Sequence, residues 1–512
     1  MIYDVAIAGY GPTGMLAAIL LGRAGHRVVV LERYRTLYNL PRVGIVHDDV
    51  LRMFQEIGCL ERIRPATFFL PIYELANKGT VLLSNQVAEN ATHGHPEMTS
   101  IYQPAFEAEL DVMAKGLANV DVRQGETVVA LKQDADRVTI TCDSAGTTRK
   151  VEARYLIGAD GGNSFVREAL GITYEDLGFD QNWLVIDARA KRRPRADLPL
   201  LRQFCEPEQP GMTMQMGPSH RRWSFMIFPG ESPDEAVKPA NVWRRLQRPE
   251  GASPDEFELI RSVAYKFRSL MAHSWRQGRI FLAGDAAHQM PPFLAQGMCS
   301  GFRDAHNIAW KLDLVLKGLA APELLASYEA EREPNARATI VESMKVGQNV
   351  NERDPEKVRA RDAQLMALQE ARRNGTAPAQ LIAFRVPGLR EGFIAPTSRG
   401  AGDAFPQACV YRDGESGLFD DMAGRGFVIV SRAGDPLSAL SSVDRQFWTL
   451  IGGTTAVLGA PGLTEESGDY TRLMDALGCD VVVKRPDNYI YGTCARLAEL
   501  PDLIAQMRAQ LG

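Results

Sequence analysis

Three separated clusters of glycines and carboxylates carry the chemistry open to this chain. The first is Gly9-Tyr10-Gly11-Pro12-Thr13-Gly14, between the apolar run Val5-Ala6-Ile7-Ala8 and a helical stretch reaching about Ala24. In such a spacing the first glycine permits a tight turn after a strand. The second lets the backbone approach a pyrophosphate, and the third lets helix and strand pack closely. The helix start then offers free N–H groups and a positive dipole end to phosphate. Glu32 closes the next strand, Arg27 to Leu31, where its carboxylate can accept hydrogen bonds from ribose hydroxyls. The nucleotide site read here comprises Gly9, Gly11, Pro12, Thr13, Gly14, Glu32 and the adjoining Arg33.

The second cluster, Gly158-Ala159-Asp160-Gly161-Gly162, follows the strand Tyr155-Leu156-Ile157, and the third, Gly284-Asp285-Ala286-Ala287-His288, follows Arg279 to Ala283. Two roles are open to each aspartate: capping a turn, or holding ligand hydroxyls, for Asp285 those of a ribityl chain. Together the clusters place three strand ends, where open α/β sheets bind ligands, around one elongated dinucleotide. The third cluster leads through Pro291-Pro292 and Gln296-Gly297 into a helix from about Ser300 to Lys317. A helix N-terminus there would stabilise the anionic pyrimidine end of a reduced flavin, so the dinucleotide expected is FAD, held for redox chemistry. A plain proline-rich connection is the alternative.

The rest of the chain narrows the class. Its 512 residues suffice for two or three domains, and 45% hydrophobic with 24% charged residues is ordinary globular composition. With a net charge of −5, and basic runs no longer than Arg192-Arg193-Pro194-Arg195 and Arg221-Arg222, no nucleic-acid partner is expected. Seven cysteines lie far apart without a C-x-x-C pair, which points away from metal sites and disulfides and toward a reducing compartment. No basic leader precedes the strand Ile2 to Ala8, and the apolar run Met15 to Leu21 is too short to span a bilayer. The expectation is a cytoplasmic protein with no membrane partner.

Periodicity gives the coarse order. After the first βαβ unit, helices are expected over 44–64 and 104–117 and strands over 120–157. Residues 176–275, rich in Trp and Met with frequent turn signals, read as a mostly antiparallel sheet containing Trp223 to Phe228. The domain plan is FAD-binding 1–175 with a short substrate-domain insertion near 71–98, substrate-binding sheet 176–277, FAD-binding return 278–345, connector 346–400 and C-terminal unit 401–512. In the last unit Phe427 to Val430 and Val481 to Val483 are strand-like, and the tail from Arg496 is helical.

These motifs resemble the class A flavoprotein aromatic hydroxylases, with a nearer likeness to the 3-(3-hydroxyphenyl)propionate hydroxylase branch. The likeness rests on Gly9 to Gly14, Pro41-Arg42, Ile101 to Pro104, Gly158 to Arg167, Asn182 to Val185, Phe228 to Glu231 and Leu282 to Asp304. It is strong over about 1–345 and weaker beyond, where Arg485-Pro486-Asp487 resembles the end of a thioredoxin-like tail domain. The fold implied is α/β with α+β elements: a Rossmann-like FAD-binding domain, an interleaved antiparallel-sheet substrate domain and a small thioredoxin-like C-terminal domain. The activity implied is a monooxygenase in which NADPH or NADH reduces FAD, O2 gives the flavin C4a-hydroperoxide, and a bound phenol takes up the distal oxygen. By the same resemblance Arg42 and Gln103 contact FAD, Asp160 and Arg167 serve FAD and the nicotinamide, and Pro292, Gln296, Gly297, Met298 and Cys299 line the flavin loop. Two positions depart from the pattern: Cys299 stands where relatives often carry Asn, and Ala295 where near relatives carry Gly. The segment Gly44 to Asp49 also differs, which opens the question of substrate.

A phenol hydroxylase benefits from a group that draws the phenol proton. His47 is the candidate, with a helix cap or surface histidine as the alternative reading; His288 reads as structural or as a flavin neighbour. Strand position suggests Gln215, Trp223 and Phe225 as pocket roof, against ordinary sheet packing, with Pro291 at the reactive edge. A carboxylated substrate would need a cation, and Arg189, Arg202, Arg221 and Arg222 are all open to that role. Homodimerisation is a possible further property. The competing functions are Baeyer–Villiger or ring-opening oxygenation, reduction on the same scaffold, and a non-catalytic FAD-binding redox sensor.

Overall fold

Val5 to Ala8, Val28 to Leu31, Tyr155 to Ile157 and Ile280 to Leu282 are continuously apolar, the mark of strands covered on both faces. In the computed structural model, which describes residues 2–193, 195–378, 385–459 and 461–512, they form the centre of a mixed sheet. Its order is Arg276–Gln277, Ile280–Leu282, Thr147–Gly158, Ile2–Ala8, Val28–Glu32, Val120–Gln124, with Val138–Ser144 and Thr127–Gln133 attached to Thr147–Gly158. The five strands from Ile280–Leu282 to Val120–Gln124 run parallel. Helices Pro12–Arg23, Gln103–Lys115 and Gly297–Leu316 pack with this sheet into the largest hydrophobic core.

A second sheet runs His288–Gln289, Phe257–Ala272, Tyr174–Ala190, His220–Met226, Gly211–Met216, Leu201–Phe204, Ile72–Asn77, Thr80–Gln86. The hairpin Ile72–Asn77/Thr80–Gln86 joins it parallel to Leu201–Phe204. Helices Pro233–Ala236 and Pro239–Glu250, absent from the sequence reading, cover one face.

One expectation is corrected. The helix expected over 44–64 begins with a strand, Ile45–His47, paired with Met98–Ile101, and turns helical only at Asp48–Ile57 and Leu60–Ile63. β-branched Ile45 and Val46 fit a pleated strand, and cross-strand pairing overrides the three-residue spacing that suggested one helix. The stretch 346–400, expected as a charged connector helical in places, carries helix; its residues 379–384 and the Pro194 of the basic run lie outside the described residues. Helix Ser327–Val350 continues into it, and helix Pro355–Arg373 lies along the edge strand Thr80–Gln86. There Arg361 Nη2 donates to Cys205 O at 2.7 Å, and the Ser84 N–H donates to Gln369 Oε1 at 2.9 Å. The edge is thereby covered.

The C-terminal unit has a four-stranded sheet ordered Thr454–Val457, Val428–Ser431, Val481–Lys484, Ile490–Cys494, parallel in its first pair and antiparallel after it, with helices Ser442–Leu450, Asp469–Leu477 and Leu500–Leu511. This is the thioredoxin-like arrangement. Arg485 binds it to the FAD-binding unit, sharing Glu331 at 2.7 and 3.0 Å and Asp487 at 2.7 and 2.9 Å. Among the described residues no helix is long and apolar enough to cross a membrane.

Candidate cofactor and substrate site

Parallel pairing puts Ala8 beside both Gly158 and Leu31, and Gly158 beside Leu282. All three glycine clusters therefore leave the sheet at one edge. Gly9 adopts φ +101°, and a Cβ there would meet the Ala159 carbonyl at 2.3 Å; at Gly14 it would meet Gly9 O at 2.2 Å. At Gly11 the same test finds no atom within 4 Å, so the loop is packed on both sides and open in the middle. Helix Pro12–Arg23 starts there without a side-chain cap. Such a cradle fits a pyrophosphate. Glu32 clamps it, accepting the Tyr10 N–H at 2.7 Å and the Tyr34 N–H at 2.8 Å. The Thr13 hydroxyl fills the contact with Gly284 and Gly301, where added Cβ atoms would approach it to 2.8 and 2.4 Å. Arg33 is exposed and lies over the Tyr34 ring at 5.1 Å.

The two aspartates divide the roles left open for them. Asp160 caps the short helix Phe165–Ala169, accepting from Ser164 Oγ and from the Val166 N–H at 3.0 Å. Burial raises its carboxyl, against those hydrogen bonds. Nearby, Arg167 donates to Gly162 O at 3.0 Å and lies over the Tyr174 ring at 3.9 Å. Asp285 has no side-chain hydrogen bond among the described residues. Its side chain is exposed to solvent; crowding by neighbouring groups raises its carboxyl, with His288 and Arg42 pulling it down. Its turn is fixed by Asp304, fully buried, which accepts from Gly284 N at 3.0 Å, contacts His288 Nε2 at 2.8 Å and binds Arg332 Nε at 2.9 Å. His288 is thus a structural partner. Asp304 was missed as a functional support; its spacing from Gly284 across a loop and about two helical turns gives no local signal.

Arg42 is exposed, stacked over Tyr38 at 4.7 Å. Gln103 does not face outward. Its Oε1 accepts the Arg42 and Val43 N–H groups at 2.7 and 2.6 Å, and its Nε2 donates to Glu107 at 2.5 Å, so its amide shapes the Arg42 loop.

In the loop before the long helix, Pro291 is buried and Pro292 exposed. Ala295 sits at φ +55°, a left-handed conformation that accounts for glycine at this place in relatives. Gln296 is 1% exposed; its Oε1 accepts Arg303 Nη1 at 2.9 Å, while its Nε2 and the Ser300 hydroxyl have no partner. Gly297 opens the helix, again without a side-chain cap. Met298 and Cys299 follow, both buried; the Cys299 thiol, pushed up to about 12 by burial, points to Ala295 O at 3.6 Å. Uncapped N–H groups and an unpartnered buried amide suit a polar ring edge, and the residues present fit FAD.

His47, buried, places Nε2 3.3 Å from Leu294 O; burial lowers its pKa to about 4, with Asp49 pulling the other way.

The three sheet residues expected in the pocket are not brought there. Trp223 pairs with Thr213 and Ile186, Phe225 with Gly211 and Leu184, and Gln215 with Arg221. Trp223 and Phe225 belong to the core under helix Pro239–Glu250, where Trp223 Nε1 donates to Glu250 at 2.7 Å. Gln215, on that same face by register, donates to Gly217 O at 2.8 Å. Side chains alternate along a strand, so one residue decides the face. The opposite face presents Met212, Met214 and Met216, which cluster with Ile45, Leu201 and the loop residue Ala295. The methionine alternation was the visible signal.

The four candidate cations are committed. Arg222 pairs with Asp187 at 2.7 and 3.0 Å and donates to Pro41 O and Arg42 O; Arg221 pairs with Glu250 at 3.2 Å, Arg202 with Glu74 at 2.7 Å and Arg189 with Glu258 at 2.7 Å.

A family model described as FAD binding domain matches residues 2–343, and one described as HcaD C-terminal domain matches 402–510. The chain belongs to the FAD binding domain family. Within the curated relatives it is 41% identical to a probable NADH-specific resorcinol 4-hydroxylase of Rhodococcus jostii (strain RHA1), covering 99% of this chain and 94% of that one. It is 32% identical to a 3-(3-hydroxy-phenyl)propionate/3-hydroxycinnamic acid hydroxylase of Mycolicibacterium gilvum (strain PYR-GCK), covering 96% and 89%. Solved structures of similar fold include the flavin-dependent monooxygenase PieE in complex with FAD and substrate (TM-score 0.83, 22% identity, 100% of this chain and 99% of that one). Aklavinone-11 hydroxylase with FAD and aklavinone follows (TM-score 0.79, 22% identity, 99% of each).

Proposed function

We propose that this protein is a single-component FAD-dependent aromatic monooxygenase that uses NADH and O2 to hydroxylate a small phenol lacking a carboxylate. The balance is ArH + O2 + NADH + H⁺ → ArOH + NAD⁺ + H2O. The observation that carries the substrate class is the wall facing the flavin loop: Met212, Met214, Met216, Ile45 and Leu201, with every candidate arginine already paired to a carboxylate. A buried carboxylate without a cation would be costly, whereas a neutral ring suits this wall. The names of the resorcinol and hydroxyphenylpropionate hydroxylases, together with the site geometry, support the reaction; the higher identity to the former supports NADH.

FAD, when bound, supplies the hydride acceptance and oxygen activation that no side chain offers. The backbone at Gly11 and the start of helix Pro12–Arg23 would hold its phosphates, and Asp285 its ribityl hydroxyls. Gly297 to Cys299 would face the ring. The methionine wall excludes water from the phenol. With Nε2–H donating to Leu294 O, the neutral His47 ring leaves Nδ1 as the acceptor for a phenol O–H.

Steady-state NADH and NADPH oxidation by the FAD-loaded protein, with resorcinol, phenol and 3-(3-hydroxyphenyl)propionate, tests the reading. NADH oxidation stimulated by the uncharged phenols, with products one oxygen heavier, is expected. Stimulation by the carboxylated phenol alone would contradict it.

A further inference from the structure

Two buried contacts tie the segment carrying His47 to the loop beside the flavin. One is His47 Nε2 to Leu294 O. The other runs through a charge: Arg303 Nε donates to Asp49 Oδ2 at 2.6 Å, and Arg303 Nη1 to Gln296 Oε1 at 2.9 Å. Arg303 is 3% exposed and stands on helix Gly297–Leu316, about two turns past Gln296.

We propose that Arg303 is a positioning residue for hydroxylation: through Asp49 and Gln296 it sets the spacing between His47 and the loop Pro291–Gln296. The inference rests on the hydroxylase reading above. Each end of the tie sits next to a candidate site element, Asp49 two residues after His47 and Gln296 at the start of the uncapped helix. No other side chain is bonded to the Gln296 amide among the described residues.

Behind the guanidinium lies a small, partly open cavity of about 30 Å³, lined by Asp49, His93, Arg303, His306, Asp487 and Tyr489 among others. That is room for about two waters. Arg303 Nη2 and Asp49 Oδ1, both without a protein partner, belong to residues on its wall. Arg303 borders this polar space on one side and Gln296 on the other. Removing it loosens the loop and opens a water route toward the ring. Loss of geometry and of dryness both favour the abortive outcome, in which the two electrons of NADH leave as peroxide: NADH + O2 + H⁺ → NAD⁺ + H2O2.

The test compares wild type, Arg303→Met, Arg303→Lys and Asp49→Asn, each as FAD-loaded full chain, for FAD content, melting temperature, kcat, KM, product per NADH and peroxide. The expected result is normal FAD content with product per NADH lowered about tenfold or more in Arg303→Met and Asp49→Asn, and peroxide making up the difference. Arg303→Lys, which keeps the charge and one donor, should recover part of the coupling. If Arg303→Met fails to fold, Asp49→Asn decides. Wild-type coupling in the FAD-loaded variants overturns the proposal, and so does a loss of FAD in Asp49→Asn, which would make the pair a structural support. Absence of product from the wild type would instead overturn the hydroxylase reading itself.

Discussion

Helix Gly297–Leu316 carries two buried polar clusters, and they differ in how fully they are paired. Around its start, Asp49 Oδ1, Gln296 Nε2, Ser300 Oγ and Arg303 Nη2 have no partner. Farther along, Asn307 and Lys311 meet Glu331, Arg485 and Asp487, and Arg485 alone makes two bonds to each carboxylate and one to Phe393 O at 2.7 Å. In that second cluster the unpartnered atom is Asn307 Oδ1. An unpaired buried polar atom costs about 1–3 kcal/mol, which sets the first cluster apart from the second. The second is an anchor that holds the thioredoxin-like unit against the FAD-binding unit. Sparser pairing marks the start of the helix, and denser ion pairing marks the stretch that anchors the C-terminal unit.

The largest effect should come from breaking the anchor. Arg485→Met leaves Glu331 and Asp487 facing each other with Lys311 alone, and should cost about 3–5 kcal/mol, read as a lower urea midpoint. A midpoint within error of wild type would erase the distinction between the clusters.

Acid should strike the other end first. Burial lowers His47, His93 and His95 to about 4, while Asp48, raised to about 7 by burial, works in the opposite direction. Each depressed histidine stabilises the fold above its ordinary value of about 6.5, and that stability is lost as the unfolded chain takes up protons between pH 6.5 and 4. Asp48 adds stability on acidification over pH 7 to 4. The three histidines outweigh it, so the melting temperature should fall over this window by the equivalent of a few kcal/mol. A flat profile between pH 6.5 and 4 would contradict these burials.

Asp285→Ala should weaken FAD retention by about ten- to a hundredfold, the worth of a charged hydrogen bond, with little change in the fold. A variant as yellow as wild type after dialysis would remove Asp285 from the site. The smallest effect is expected at Ala295→Gly, which relieves the φ of +55°. The relief of about 1 kcal/mol is partly offset by a more flexible unfolded chain. A clear drop in melting temperature would show that packing of the Ala295 methyl against the Ile45, Leu201 and methionine cluster matters more than the strain.

Much of the nucleotide side was legible in the sequence because its signals are local. Gly9, Gly11, Gly14 and Glu32 act within one βαβ unit, and parallel strands carry the other two clusters to the same edge without further information. The substrate side was not legible to that degree. Gln215, Trp223 and Phe225 fall on the helix-covered face because strand parity turns on a single residue, and helix Pro239–Glu250 was not seen. Gln103, Asp304 and Arg303 each act through a partner far along the chain, 61, 28 and 254 positions away, which spacing alone does not reveal. Ala295 was visible as a departure from relatives, and its backbone conformation supplies the reason.

Oxygen labelling tests the central claim most directly. The FAD-loaded protein, given NADH, resorcinol and ¹⁸O2, should form a hydroxylated product carrying one ¹⁸O atom, with NADH consumed in proportion. Product oxygen drawn from water, or NADH consumption that no uncharged phenol changes, would contradict the account.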